Sequence, residues 1–384
     1  MNLIKNVVVG IIICAAISRG VVFAASVTYK EIDIDSKILN EKRTILVSLP
    51  DGYESTLDLK YPVQYVLDGR ANVLHTRATS DYISYFSEMP RTIIVGIANT
   101  NRTRDLTPSV DTSRARESGN ADNFLDFIEF EVIKYIEDNY RTARFRSIAG
   151  HSLGGLAVTQ AFIRRPDLYN AYFAFSPSFT WNRGEHLKHL EESLKANNGA
   201  SPFFYMSMAN EKRDAKPKFL ATKSLFMKHA NKNLKFHSEI YPEESHGTIH
   251  LRSQHEVYRK LFNGWRIDKY KVEDNVSYIE EFINAQTKRY NYDVTLSETD
   301  FYRLSNIFLS KERHTEAIKV CKIRLKYYPN SHYAYRSLAD AQYAAGHVGD
   351  AIINISKAIE LAKGANDKSL LSYTEKLNEY KKKP

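Results

Sequence analysis

A chain of 384 residues has room for two domains or more at about 150 residues each. With 43% hydrophobic and 26% charged residues it can bury a sizeable core, which excludes wholesale disorder, and 16 Gly with 11 Pro exclude a collagen-like or low-complexity chain. Lys and Arg total 54 against 45 Asp and Glu; the resulting +9 is scattered rather than gathered in a basic block, so no nucleic-acid partner is expected.

Residues 1–25 read as an export signal. Lys5 supplies the positive end, Val7 to Ile17 is an apolar run, and Val22-Phe23-Ala24-Ala25 offers a small-residue cleavage site. The run is shorter than the roughly 20 residues a membrane span needs, so no integral span is expected after cleavage. The mature protein is expected in the periplasm, or secreted. Cys14 would leave with the signal, and Cys321 alone cannot form an internal disulfide.

From Val27 to Trp265 strand-like and helix-like segments alternate. Thr44 to Leu49 is a strand ending at the turn Pro50-Asp51-Gly52, and Tyr61 to Leu67 and Thr92 to Ile97 read as buried parallel strands. Asn101 to Asp122 is polar and carries Arg102, Arg104, Arg114 and Arg116 without apolar periodicity. It is either a loop over a functional site or a solvated insertion. Asn123 to Tyr140 has helical spacing, with Phe124, Phe127, Ile128, Val132, Tyr135 and Ile136 on one face. Arg146 to Ala149 is a strand, followed by a helix ending near Arg165-Pro166; Ala171–Phe175, Phe203–Met208 and Phe236–Tyr241 are further strands. The alternation predicts an α/β fold with a mostly parallel central sheet over residues 26–265.

Beyond Trp265 the pattern is helical throughout, with a linker over 266–300 and repeats over 301–384. Leu304 matches Leu338, Ser305 matches Ala339, Ala317 matches Ala351 and Ile318 matches Ile352, all at a period of 34. With Tyr327-Tyr328-Pro329 closing the first unit, this spacing is tetratricopeptide-like. Two such units are too few to stand alone, so they are expected to lean on the first domain, and they offer a face to a protein or peptide partner. The run from Val276 to Tyr290 is a candidate capping helix.

The chemistry points to Gly150-His151-Ser152-Leu153-Gly154, a G-x-S-x-G string between a strand and an apolar helix. In that context it is a nucleophile elbow, a strained turn that exposes the Ser152 hydroxyl. The base should come later in the chain, and His246 in Glu244-Ser245-His246-Gly247 follows a strand where a mobile imidazole can reach the elbow; His250 is the alternative. His186 and His189, on a charged helical segment, are expected at the surface. The acid should follow Phe203–Met208, which makes Glu211 the candidate and Asp214 its alternative. The Leu153 N–H, with that of Gly69 or Arg70, would hold an oxyanion; Asp68 beside them is a candidate substrate contact and also suits a helix cap. The histidines lack H-E-x-x-H spacing and the cysteines are unpaired, so neither a metal nor another cofactor is expected.

Leu67-Asp68-Gly69, Ile94-Val95-Gly96-Ile97, Arg102-Thr103-Arg104-Asp105-Leu106-Thr107-Pro108, the elbow, Ser176-Pro177-Ser178 and Ser245-His246-Gly247 occur in that order. Together they resemble the esterase family of α/β-hydrolases that holds esterase D, bacterial feruloyl esterases and enterochelin esterases, above all its siderophore-esterase-like branch with a tetratricopeptide tail. The resemblance covers most of residues 30 to 265. It implies hydrolysis of a small-molecule ester through an acyl-enzyme, with Ser152 as nucleophile and His246 as base. It also places Arg102 or Arg104 near an anionic substrate, although Arg104 equally suits a structural pair with Asp105. Trp181 is either an acyl-pocket wall or core packing. The competing readings are a catalytically idle hydrolase-fold scaffold working through its repeats, and an acyltransferase.

Overall fold

The computed structural model describes residues 28–54, 59–196, 199, 201–211 and 214–382, and the export-signal reading of residues 1–25 lies outside them. In chain order the first part comprises β1 (Lys30–Ser36), β2 (Glu41–Ser48), β3 (Tyr61–Val66), α1 (Gly69–Tyr85), β4 (Ile93–Ile97), α2 (Arg102–Leu106) and α3 (Ala121–Phe127). A π-helical stretch over Ile128–Ile133 joins α3 to α4 (Lys134–Asn139). There follow β5 (Thr142–His151), α5 (Leu153–Arg164), β6 (Ala171–Phe175), α6 (His186–Ala196), β7 (Phe203–Met208), α7 (Ala215–His229), β8 (Lys235–Ile240) and α8 (Ile249–Leu261).

The eight strands form one sheet in the order β1-β2-β4-β3-β5-β6-β7-β8. β1 pairs antiparallel with β2 and β2 antiparallel with β4; every other pairing is parallel. This is the α/β-hydrolase architecture. Strand periodicity divides the core. On β6, Tyr172 and Ala174 face the larger cluster with Phe124, Phe127 and Phe162, while Ala171, Phe173 and Phe175 face Val257 and Tyr258 of α8. Both faces are covered, so β6 reads as one unbroken apolar run.

Segment 101–122 and His186 depart from the sequence expectations. The segment 101–122 is not wholly irregular, because it contains α2. His186, expected at the surface, is 3% exposed, stacks on Phe179 at 4.2 Å between ring centroids and shares a hydrogen bond with Thr222 Oγ1.

Arg43 of β2 has no exposed surface and donates from Nη1 to Asp105 Oδ2 at 2.7 Å and from Nη2 to Ala98 O at 3.1 Å. Its guanidinium lies over the Phe124 and Phe127 rings. Asp105 is equally buried and belongs to α2, so this pair fixes α2 to the sheet.

The second part is all helical: α9 (Lys269–Asp274), α10 (Tyr278–Tyr290), α11 (Glu298–Ser310), α12 (His314–Tyr327), α13 (His332–Ala344), α14 (Val348–Gly364) and α15 (Leu370–Lys382). The pair α13–α14 begins 34 positions after α11–α12, and the matched Leu304 and Leu338, like Ala317 and Ala351, are all buried. The helices rest on the sheet domain: Tyr290 of α10 packs edge-on to Phe145 of β5, and Ser87 Oγ donates to Asp300 of α11. Among the described residues no helix is long and apolar enough to cross a membrane.

Breaking a buried ion pair costs about 3–5 kcal/mol, and loss of Asp105 would leave the fully buried Arg43 with only the more exposed Glu41 carboxylate, 2.7 Å from Nη1, as ionic partner. Asp105→Ala should therefore lower the urea midpoint sharply, whereas the double change Arg43→Met with Asp105→Leu should recover most of it.

Candidate active site

β5 turns into α5 through Ser152 alone. Ser152 has φ 61 and ψ −117, its N–H donates to Phe175 O at 2.9 Å, and its carbonyl accepts from Leu156 N. A Cβ on Gly150 would lie 2.4 Å from the backbone of Gly154, so no side chain fits where strand and helix cross. The turn lifts the serine hydroxyl clear of the backbone at the carboxyl edge of the parallel strands, where open α/β sheets bind ligands.

Two other strand ends converge there. Glu211 follows β7, and His246 lies between β8 and α8. Their loops are tied by Asn210 N donating to Glu244 O at 2.9 Å. His246 Nε2 is 3.0 Å from Ser152 Oγ, and His246 Nδ1 is 2.8 Å from Glu211 Oε1. A carboxylate only accepts, so Nδ1 carries the proton and Nε2 is left to accept from the serine. Burial pushes the Glu211 carboxyl up, but hydrogen bonds from His246 and Ser176 outweigh it and hold the carboxyl below its usual range. Asp214, the alternative acid, stands exposed at the head of α7.

The remaining sequence candidates are placed as follows. Leu153 is the first residue of α5, and Gly69 and Arg70 open α1, so their N–H groups precede any intrahelical acceptor. Asp68 adopts φ 56 and does not cap α1 with its side chain. Its carboxylate is instead gripped by the fork of Arg102, at 2.7 Å from Nε and 2.9 Å from Nη2. Asp68, Arg70, Asn72, Asn99, Arg102 and His151 line a cleft of about 460 Å³ beside the elbow. Arg104 pairs with Glu41 and Asp105, away from this cleft. Trp181 is 6% exposed, packs in the main core and donates to Ser109 O, so it forms no open wall.

Sequence reasoning missed a group of histidines behind the base. His151 packs against His246 at 4.6 Å between centroids, and His250 packs against both His151 and His75. Burial pushes the His151 imidazole down to about 4, with His246 beside it acting the same way; burial also lowers His250 and His75. The signal lay in the elbow string itself, where His151 adjoins Ser152.

The family model described as "Putative esterase" matches residues 36–264. The ferri-bacillibactin esterase BesA of Bacillus subtilis is 32% identical over 184 residues, 41% of this chain and 63% of that protein. The siderophore triacetylfusarinine C esterase of Aspergillus fumigatus is 33% identical over 111 residues, 28% of this chain and 38% of that one. The chain thus spans less than two thirds of either relative's length. An IroE-like serine hydrolase from Shewanella oneidensis superposes with a TM-score of 0.70 at 28% identity, over 78% of this chain and 99% of that one. An uncharacterised protein from Capnocytophaga ochracea shares the fold at a TM-score of 0.61 and 17% identity, over 92% of this chain and 99% of that one.

The lowered histidines make stability depend on pH. In the unfolded chain they bind protons near pH 6.5, but in the folded chain only well below it. Stability should therefore be full above about pH 7 and fall as the pH drops towards 4, by on the order of 2 kcal/mol per buried imidazole. Urea midpoints at pH 7.5 and pH 5 check this; an equal or higher midpoint at pH 5 would contradict it.

Proposed function

The chain belongs to the esterase family matched over residues 36–264, and on that premise we propose that it is a serine ester hydrolase whose relay is Ser152, His246 and Glu211. The observation that carries this reading is the unbroken pair of hydrogen bonds from Ser152 Oγ through His246 to Glu211 Oε1.

Ser152 Oγ attacks the ester carbonyl as its proton passes to His246 Nε2. Glu211 holds the ring in the required tautomer and stabilises the imidazolium that forms. The negative oxygen of the tetrahedral intermediate lies against the Leu153 N–H at the positive end of α5, with the Gly69 or Arg70 N–H as the second donor. His246 then protonates the leaving alcohol, activates a water, and the acid departs from Ser152. This sequence uses only groups of the chain and water.

The named relatives act on siderophores, which supports a siderophore-type or other small polar ester as substrate. The charged side chains of Asp68, Arg70 and Arg102 in the neighbouring cleft support a substrate that carries a polar group there. Residues 26–265 are then the catalytic domain and 301–384 a tetratricopeptide-like appendage joined through 266–300. The apolar run after Lys5 supports export to the periplasm.

Kinetics with p-nitrophenyl acetate test the assignment. Ser152→Ala and His246→Ala should each lower kcat by about 10³-fold or more, and Glu211→Gln by about 10²-fold. Asp214→Asn should stay within about twofold of the unaltered protein. Turnover that survives Ser152→Ala would refute the reading, and a loss on Asp214→Asn equal to that of Glu211→Gln would move the acid.

A further inference from the structure

Resting on the relay proposed above, we propose that Asp68 and Arg102 are positioning residues, whose ion pair holds the second oxyanion donor in register with the elbow. The Leu153 N–H follows Ser152 directly in the chain, so the turn that sets one sets the other. The Gly69 or Arg70 N–H comes from a different strand end and needs its own anchor. A misplacement of about 1 Å at such a group can cost about 10²-fold in rate.

Asp68, between β3 and α1, is left-handed at φ 56 and ψ 44. Its carbonyl accepts from Ala71 N at 3.0 Å and from Asn72 N at 3.2 Å, which starts α1. Gly69 then abuts the sheet so closely that a Cβ there would lie 2.5 Å from the Gly96 carbonyl carbon of β4. The Asp68 side chain, 12% exposed, accepts from Asn99 Nδ2 at 2.5 Å and from Arg102 Nε and Nη2. Arg102 opens α2, which the buried pair of Arg43 and Asp105 fixes to the sheet. The guanidinium that grips Asp68 is thereby itself held, and its two parallel bonds set direction as well as distance.

The same guanidinium reaches the elbow. Arg102 Nη2 lies 3.4 Å from His151 O, and Asp68 Oδ2 lies 3.3 Å from where a Cβ on Gly154 would be. The pair thus touches the residue before Gly69, the residue before Ser152 and the first turn of α5. Charge gives it a second effect. An unpaired carboxylate next to the oxyanion donors would oppose the negative charge that forms there, and Arg102 neutralises it. With Nε and Nη2 both taken by Asp68, Arg102 serves the site's geometry rather than an anionic substrate.

The experiment measures kcat and KM for p-nitrophenyl acetate, an uncharged ester that offers Arg102 no anion to bind. The variants are Arg102→Met, Arg102→Lys, Asp68→Asn and the double change Arg102→Met with Asp68→Asn. Ser152→Ala is the control, and a melting temperature is taken for each. Inhibition by phenylboronic acid, which forms a tetrahedral adduct on a serine hydroxyl, reads the oxyanion site separately. Arg102→Met should lower kcat by about 10²-fold with KM within about twofold, and weaken the boronic acid to a similar degree. Arg102→Lys keeps the charge without the fork and should lose about 10-fold. Asp68→Asn, which tolerates the left-handed turn, should also lose about 10-fold. The double variant should be about as active as Asp68→Asn, because the carboxylate that needed neutralising is gone.

Variants within about twofold of the unaltered protein, beside an inactive Ser152→Ala, would overturn the pair's role and leave the relay standing. A raised KM with kcat intact would make Arg102 a substrate contact and overturn it too, as would losses that multiply in the double variant. A lowered melting temperature with unchanged kcat would make the pair merely structural and likewise overturn it. Turnover by Ser152→Ala would instead bring down the relay itself.

Discussion

Ser152 sits at φ 61 between β5 and α5, a conformation that costs a serine about 1–3 kcal/mol and persists only where the surroundings dictate it. The dictating contacts are backbone ones. Gly150 allows the strand to meet the helix backbone at Gly154 without a side chain between them, and Ser152 N and O are both taken, by Phe175 O and by Leu156 N and Ser178 N. Fixing the turn fixes three things at once: the hydroxyl faces outward, the Leu153 N–H lies at the positive end of α5, and His151 is directed at the loop of the base. The other features of the site approach this one point.

The approach of the loops is secured by polar contacts deep in the fold. The buried pair of Arg43 and Asp105 pins α2, and α2 carries Arg102 to Asp68 at the mouth of the cleft. On the opposite side, Ala209 N donates to the Ser176 hydroxyl, Glu211 N to Ala209 O and Asn210 N to Glu244 O, which ties together the ends of β6, β7 and β8. His246 is the most open of the relay, with nearly half its side chain exposed, so its place depends on the partners on either side. That combination, an exposed base between two anchored partners, admits an ester while keeping the imidazole in register.

Much of the architecture was readable in the sequence because burial leaves a plain pattern. Ala171–Phe175 and Phe203–Met208 are apolar on both faces, and their limits are the same in the structure. α1 was missed because the face it buries is polar: Asn72, Thr76, Arg77 and Ser80 pack inward, with Arg77 donating to Ser48 and to Asp51. β1 was missed because its alternation of Ile32 and Ile34 with acids is short and lies at the sheet edge. At the site, Ser152, His246 and Glu211 could be named from the elbow and from loops after strands, and the structure hydrogen-bonds them in that order. The edge-on pair of His75 and His250 could not. It depends on which helices become neighbours, and no local spacing carries that information. His186 misled for a similar reason: its charged helix shows one solvated face, and the histidine lies on the other.

Diisopropyl fluorophosphate followed by peptide mass mapping tests most directly whether Ser152 is an activated nucleophile. A single phosphoryl adduct is predicted on the peptide containing Ser152, formed far more slowly when His246 is replaced by alanine. An intact protein after prolonged exposure, or an adduct on a different serine with Ser152 unmodified, would contradict the relay.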